Sequence, residues 1–158
     1  MLLAAESTAV RWRLDFVTLP GCYAVSMPLP EKFETCWGPG DALMAAYHDT
    51  EWAVPCHDDA ELFERLMLEG FQAGLSWSTI LNKRENFRRA FDGWDPVVVA
   101  GYGDQKVAEL LEDSGIVRNR LKISGAVQNA RAFLRLQDDH GSFARFSWSF
   151  AGGGPPLR

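Results

Sequence analysis

The sequence predicts an all-α fold, and three observations carry this prediction. From Asp41 onward, apolar residues recur at spacings of three and four, the period of an amphipathic helix. Residues that favour helix N-caps, such as Asp58, Ser76 and Asp95, precede several of these segments. No alternation of apolar and polar residues is long enough to indicate a β-strand. We therefore expect a domain built from helices alone.

Two long helices are expected first. Either Asp58 or Asp59 can cap the first helix, whose periodic apolar residues are Leu62, Phe63, Leu66, Met67 and Phe71. Ser76 can cap the second helix, whose apolar residues are Trp77, Ile80, Leu81, Phe87 and Phe91. The other face of the second helix is expected to be a solvated, basic surface formed by Lys83, Arg84, Arg88 and Arg89.

Shorter helices and a helical hairpin follow. Asp95-Pro96 is a cap followed by a first-turn proline, which predicts a short helix. Asp104 is expected to cap the next helix, and Gly115 to end it in a left-handed conformation. The last predicted helix carries Ala126, Val127, Ala130, Phe133 and Leu134. Two helices joined by a short turn with a glycine form a hairpin.

The tip of this hairpin is a candidate phosphate site. Arg118, Arg120 and Lys122 lie near the start of its second helix, where unpaired backbone amides point outward. Amides, the positive end of the helix dipole and nearby cations together favour a phosphate. The charges alone are equally compatible with an ordinary solvated helix start.

Composition and breaks in periodicity divide the chain into three parts. Residues 1–35 contain Pro20-Gly21, Pro28 and Pro30 and are expected to form an irregular extension, in which Met27 is an alternative start. Residues 36–150 form the helical domain, and residues 151–158 a Gly/Pro-rich tail.

The overall composition restricts the class of protein. A net charge of −5 argues against a protein that coats nucleic acid by bulk charge, although a local basic surface is compatible with it. Three cysteines in 158 residues are too few for a disulfide framework. No apolar run approaches the length of a membrane span, so we expect no membrane partner.

Two motifs predict a binding pocket, Tyr47-His48-Asp49-Thr50-Glu51-Trp52 and Leu68-Glu69-Gly70-Phe71-Gln72-Ala73-Gly74-Leu75-Ser76-Trp77. Glu69 lies beside Leu68 and Leu75, so we expect a buried carboxylate, which is costly unless it faces a ligand. The rings of Tyr47, Trp52 and Trp77 offer flat faces to a planar, cationic heterocycle. The alternative for the rings is ordinary core packing.

These motifs resemble those of the 3-methyladenine DNA glycosylase I family, a branch of the helix-hairpin-helix DNA glycosylase superfamily. The resemblance runs from about Cys36 to Phe150 and includes Cys36-Trp37, Lys83-Arg84-Glu85-Asn86-Phe87 and Gly115-Ile116-Val117-Arg118. The family continues beyond this point, so the resemblance implies a helix-hairpin-helix glycosylase domain that is incomplete at its C-terminus.

The resemblance implies a base-excision repair enzyme. Such an enzyme flips 3-methyladenine out of DNA and releases it by hydrolysis. Glu69 would be the catalytic carboxylate that contacts the base, Tyr47 and Trp77 would stack on it, and Trp37 and Trp52 would line the pocket. Gly115, Arg118, Arg120 and Lys122 would contact DNA, with Arg84 and Arg88 as further backbone contacts. The alternative is a truncated, non-catalytic fragment that binds DNA weakly or does not bind it.

The resemblance also bears on reaction type, metal and partners. Asn119 stands where backbone-cleaving relatives carry a lysine nucleophile, so we expect a monofunctional glycosylase. Structural zinc is implied, but only Cys36 and His48 of its four ligands are present, since the other pair would lie beyond Phe150. The expected partner is alkylated double-stranded DNA, bound by a monomer. The compartment stays open: cytoplasmic in a bacterium, nuclear or organellar in a eukaryote.

Overall fold

The structure is a computed structural model that describes residues 41–151. These residues belong to the larger of two units of the chain, residues 33–158. The predicted N-terminal extension, residues 1–35, and all but the first residue of the predicted tail lie outside the described residues.

Residues 41–151 form helices and no β-strand, which confirms the all-α prediction. The helices are α1 (Ala42–Thr50), α2 (Asp59–Gln72), α3 (Trp77–Ala90), α4 (Pro96–Ala100), α5 (Asp104–Glu112), α6 (Arg120–His140) and α7 (Phe143–Ser149). A 3-10 turn, Asp92–Trp94, lies between α3 and α4. Within the described part of the chain, no helix is both long enough and apolar enough to span a membrane.

Side-chain caps begin several of these helices. Asp58, Ser76 and Asp95 each accept a hydrogen bond from a backbone N–H in the first turn that follows, which confirms these three predicted caps. The prediction for Asp104 is wrong, because Gly103 occupies the N-cap and Asp104 is the first residue of α5. There its carboxylate faces the positive end of the helix dipole.

The core lies between α6 and the helices packed around it. At 21 residues α6 is the longest helix, and it contacts α2, α4, α5 and α7. Much of the buried volume is aromatic, contributed by Phe63, Phe71, Phe87, Phe91, Trp94 and Phe133. Each such side chain removes roughly 150–250 Å² from water, so these rings supply a large share of the hydrophobic stabilisation.

A left-handed turn directs one of these rings into the core. Asp92, Gly93 and Trp94 have φ angles of 51°, 70° and 61°, a region that residues with a Cβ rarely adopt. The glycine relieves the strain at the centre of the turn. Trp94 stacks on Phe91 with 4.5 Å between ring centroids, and Asp92 accepts a hydrogen bond from the Tyr102 hydroxyl. Packing and a hydrogen bond therefore hold the two strained residues in place.

A carboxylate at the start of α2 fixes α7, a helix that the sequence did not predict. Asp59 is the first residue of α2 rather than its cap, and it accepts hydrogen bonds from Gln137 Nε2 at 2.7 Å and from the backbone N–H groups of Phe143 and Ala144. His140, the exposed last residue of α6, also contacts α7, with 4.8 Å between its ring centroid and that of Phe146.

A cluster of charged side chains joins α1, α2 and α3; we call Glu51, Glu64, Arg84 and Arg88 the Glu64 cluster. The Glu64 side chain is 12% exposed and accepts from Arg84 Nε at 2.7 Å and from Arg88 Nε and Nη2 at 2.9 and 3.1 Å. Arg84 Nη1 also donates to Glu51 Oε1 at 2.6 Å. The predicted solvated, basic surface is therefore wrong for Arg84, whose side chain is 17% exposed, whereas that of Arg88 is 39% exposed. Both guanidinium groups face carboxylates of their own domain, and their contacts to DNA stay a prediction.

The arginines determine the ionisation of Glu64. Burial by itself raises the pKa of a carboxyl group, but hydrogen bonds from Arg88 and Arg84, together with their charges, hold the pKa of Glu64 below its ordinary value. Since the folded pKa is lower than the unfolded one, the ionised carboxylate stabilises the folded state. This contribution is complete above the unfolded pKa, about 4.3, and is lost as the pH falls through the folded pKa.

We expect Glu64→Gln to lower the free energy of unfolding at pH 7 by on the order of 3 kcal/mol, because it removes one partner of a buried ion cluster. The difference from wild type should shrink as the pH falls from 5 towards 3, measured by urea unfolding. Glu61→Gln is the control: it lies on the same helix, its side chain is 62% exposed, and its effect should stay within about 0.5 kcal/mol. A Glu64→Gln difference that stays constant down to pH 3 would contradict the assigned role.

Candidate functional site

A pocket of about 330 Å³ lies among α1, the last turn of α2 and the first turn of α3. Its walls are formed by Met44, Tyr47, Trp52, Glu69, Gln72 and Trp77. Four of these were predicted from the sequence, namely Tyr47, Trp52, Glu69 and Trp77. The fold thus brings together residues that stand up to 30 positions apart, counted from Tyr47 to Trp77. The fifth predicted pocket residue, Trp37, lies outside the described residues.

Aromatic rings form two parts of the wall. Tyr47 and Trp77 are in contact, with 5.2 Å between centroids and 55° between ring planes. The indole Nε1 of Trp77 is buried and has no hydrogen-bond partner among residues 41–151. Trp52 is 49% exposed and stacks on the His48 ring at 5.4 Å. Trp77 therefore belongs to the inner wall and Trp52 to the exposed rim.

Glu69 is exposed, so the expectation of a buried carboxylate at this position is wrong. Neighbouring helix residues point about 100° apart, so Leu68 is buried in the core while Glu69 faces the pocket. The buried carboxylate of α2 is instead Glu64, which two arginines neutralise. Glu69 lies on the pocket wall instead, where its carboxylate can contact a ligand.

The charge of Glu69 acts on the neighbouring phenol. Burial raises the pKa of Tyr47, and the negative charges of Glu69 and Glu51 raise it further, while Arg65 and Arg84 oppose the shift. The hydroxyl of Tyr47 is consequently protonated at neutral pH and can act as a donor. A carboxylate, a phenol O–H and aromatic faces together suit a planar cation that carries both a hydrogen-bond donor and an acceptor.

Two pocket residues were not predicted. Gln72 lies three residues after Glu69 and Met44 three residues before Tyr47, so each shares a helix face with a predicted residue. That spacing was visible in the sequence and could have identified both. Gln72 Nε2 donates to the Leu75 carbonyl at 2.7 Å, so its amide also fixes the turn between α2 and α3.

The predicted hairpin is formed by α5, α6 and the turn between them. Arg118 and Arg120 are exposed, and neither forms an ion pair with another described residue, so their guanidinium groups are available to phosphate. Leu121 is 85% exposed beside them. Asn119, at the place of the absent lysine nucleophile, caps α6 by accepting from the Lys122 N–H at 3.2 Å.

The structural reason for glycine at position 115 differs from the predicted one. Helix α5 ends at Glu112, and Gly115 does not have a positive φ, so the prediction of a left-handed helix end is wrong. A Cβ at this position would lie 2.9 Å from Asp113 Oδ1 and 3.3 Å from Asn86. A side chain at this position would therefore crowd both the Asp113 carboxylate and α3, and glycine avoids this. Lys83 Nζ and Asn86 Nδ2 both donate to the Gly115 carbonyl, which holds the hairpin turn on α3.

Lys122 does not extend towards solvent as predicted for a phosphate contact. Its Nζ donates at 2.6 Å to the carbonyl oxygens of both Phe71 and Ala73, at the end of α2. Two of its three donors are thus used within the domain. Of the predicted DNA contacts, Arg118 and Arg120 are placed on the surface, whereas Gly115 and Lys122 hold the hairpin against its neighbours.

The described residues do not assemble a zinc site. Within residues 41–151, no three His, Cys, Asp or Glu side chains are close enough together to hold a metal. His48 lies in the last turn of α1, with Nδ1 2.9 Å from Asp49 Oδ1, and its predicted partner Cys36 lies outside the described residues. Cys56, in the loop between α1 and α2, is buried, and burial raises the pKa of its thiol.

Comparison with known proteins gives consistent matches. The Methyladenine glycosylase family matches residues 37–157. DNA-3-methyladenine glycosylase 1 of Escherichia coli (strain K12) is 48% identical over 125 residues, which are 78% of this chain and 67% of the relative. The chain thus spans about two thirds of the length of that relative.

Solved structures show the same likeness. A crystal structure of 3-methyladenine DNA glycosylase I superposes with a TM-score of 0.72 at 46% identity, covering 79% of this chain and 69% of the other. A single-residue variant of 3-methyladenine DNA glycosylase I in complex with 3-methyladenine gives a TM-score of 0.74 at 37% identity, covering 77% and 66%. By sequence and by fold, this chain belongs to the methyladenine glycosylase family.

Proposed function

We propose that this chain is a DNA glycosylase that releases 3-methyladenine from alkylated DNA by hydrolysis of the N-glycosidic bond. The observation that carries the proposal is the pocket, in which Glu69, Tyr47 and Trp77 converge from three helices. The names of the relatives support it, since one is a DNA-3-methyladenine glycosylase and another was solved in complex with 3-methyladenine.

The pocket chemistry fits this substrate. Alkylation at N3 makes the adenine ring cationic, and cleavage then releases a neutral base, so the base is already a good leaving group. The site has to recognise and hold the flipped base rather than supply a strong nucleophile. Glu69 would accept from the exocyclic amine and offset the positive charge, while Tyr47 and Trp77 would contact the ring faces.

The hairpin would hold the DNA backbone beside this pocket. Arg118 and Arg120 are exposed at the start of α6, where the backbone amides and the helix dipole also favour a phosphate. Phosphate contacts position a duplex without reading its sequence. This arrangement suits an enzyme that must recognise one damaged base in any sequence context, and we propose alkylated double-stranded DNA as the partner of a monomeric protein.

The second candidate is a non-catalytic member of the family. One observation favours it: Phe150, near the end of the described residues, is 76% exposed. An apolar cleft of about 430 Å³ is also present, lined by residues that include Val54, Leu62 and Trp148. Catalytic release of base by the folded chain distinguishes the two candidates.

We expect the purified chain to release 3-methyladenine from alkylated duplex DNA above the spontaneous rate, measured by chromatography of the free base. Glu69→Gln should slow release roughly 10- to 150-fold, the equivalent of one lost hydrogen bond to a charged group. Glu61→Gln, an exposed glutamate two turns away on the same helix, is the matched control and should retain wild-type release. Absence of release by soluble, folded wild-type protein would favour the non-catalytic candidate.

A second prediction concerns the reaction type. Because Asn119 rather than lysine caps α6, no amine is placed there to attack the sugar. We expect the product to be an intact abasic site, with no strand cleavage on a denaturing gel. Borohydride should trap no covalent adduct between this protein and alkylated DNA; a trapped adduct would show that another amine attacks the sugar.

We propose separately, from the family resemblance, that Cys36 and His48 are zinc ligands. We expect substoichiometric zinc in the purified protein, because a closed tetrahedral site needs four ligands and no three possible ligands lie together within residues 41–151. Elemental analysis against protein concentration measures it. One equivalent of zinc per chain, lost on Cys36→Ser, would instead mean that other residues or a second molecule complete the site.

A further inference from the structure

We propose that Lys122 is a positioning residue that connects the DNA-binding hairpin to the base pocket. The proposal rests on the function proposed above and deepens it: Lys122 would act through the end of α2, without touching DNA or base. It differs from the phosphate contact that its place in the sequence predicts.

The contacts of Lys122 support this role. Its backbone belongs to the first turn of α6, directly after the exposed arginines of the hairpin. Its Nζ lies 2.6 Å from the carbonyl oxygens of Phe71 and Ala73, at the C-terminal end of α2. The last carbonyls of a helix lack partners within the helix and form its negative pole. A cation there is therefore stabilising both as a hydrogen-bond donor and as a positive charge.

Around the Lys122 side chain, an open cleft lies between α2 and α6, so little side-chain packing supplements these two hydrogen bonds. A cleft of about 300 Å³ lies between α2 and α6 at this point, and its walls include Gly70, Ala73, Leu121, Lys122 and Gly125. Neither Gly70 nor Gly125 has a non-neighbouring atom within 4 Å of the position of a Cβ. At the surface an open cleft therefore separates α2 from α6, above the buried contact of Phe71 and Ala126, and the lysine side chain crosses this cleft.

The segment that Lys122 holds carries much of the pocket. Glu69 and Gln72 lie in the last turn of α2, and Trp77 begins α3 four residues after Ala73. The intervening turn contains Gly74, whose φ is 81°. A shift of the Phe71 and Ala73 carbonyls would displace the carboxylate and the indole relative to each other. A misplacement of about 1 Å is enough to cost on the order of 100-fold in reaction rate.

The lysine therefore gives the hairpin a direct connection to the pocket. Phosphates bound by Arg118 and Arg120 fix the start of α6 on the DNA. The hydrogen bonds of Lys122 then hold the end of α2 in a fixed position relative to α6. The flipped base and the backbone are then held in a fixed relation. If Lys122 bound phosphate instead, its loss would weaken DNA binding and leave the pocket unchanged.

Lys83 provides a matched control. Its Nζ also donates to two backbone carbonyls, those of Ser114 and Gly115 at 3.2 and 3.1 Å, but it holds the hairpin turn to α3 rather than the end of α2. Lys83→Met and Lys122→Met thus remove the same charge and the same number of hydrogen bonds. Only Lys122→Met removes contacts to α2, which lines the pocket.

The experiment measures binding of free 3-methyladenine, with no DNA present, by calorimetry or by quenching of tryptophan fluorescence. Lys122→Met should weaken binding at least about tenfold, because two hydrogen bonds to a charged group are lost at the end of the pocket helix. Lys83→Met should bind the base like wild type. Lys122→Arg, which keeps the cation and its donors, should recover part of the affinity. Thermal unfolding of both methionine variants checks that each remains folded.

Salt dependence separates positioning from phosphate contact. Arg118→Ala should reduce the slope of log K against log salt for duplex DNA by about one, while Lys122→Met should leave the slope unchanged. Wild-type affinity for the base in folded Lys122→Met, or a reduced salt slope for that variant, would overturn the proposal. Failure of the wild-type chain itself to bind the base would instead count against the proposed function.

Discussion

The site depends on one interaction, the ion pairing of the buried Glu64 carboxylate with arginines of α3. Its two oxygens accept from Arg84 and Arg88 of α3, and Arg84 reaches on to Glu51 at the end of α1. These are the three helical segments that carry the pocket residues. A buried ion cluster is a weak source of net stability but requires defined geometry, since any unpaired member is costly. The cluster thus fixes the spacing of the pocket walls.

Glu64 and Glu69, two of the four acidic residues of α2, have different roles: the first is structural and the second faces the pocket. Glu64 is buried and neutralised, so its charge is not available to a ligand. Glu69 lies five residues further on, exposed at the pocket, where no arginine pairs with it among the described residues. A cationic base would supply the missing positive charge.

Lysines and arginines with similar places in the sequence have different tasks in the fold. Arg118 and Arg120 face solvent at the hairpin, whereas Lys83 and Lys122 donate to backbone carbonyls and hold the hairpin to α3 and α2. The domain thereby presents a small basic surface although its net charge is −5. Charge near a predicted DNA-binding element is therefore a poor guide to which cations meet phosphate.

The sequence by itself determined the helical class, three of the caps and the residue types of the pocket, because these follow from local spacing and from short motifs. Ser76 and Trp77 are an example, since cap and first-turn indole are adjacent in the chain. Tertiary structure decided which carboxylate is buried, which cations are paired and why position 115 is glycine. These depend at least in part on contacts between residues 20 or more positions apart, such as Glu64 with Arg84 or Gly115 with Asn86. Local periodicity shows which face of a helix is apolar, but it does not show which charged side chain of another helix will lie against that face.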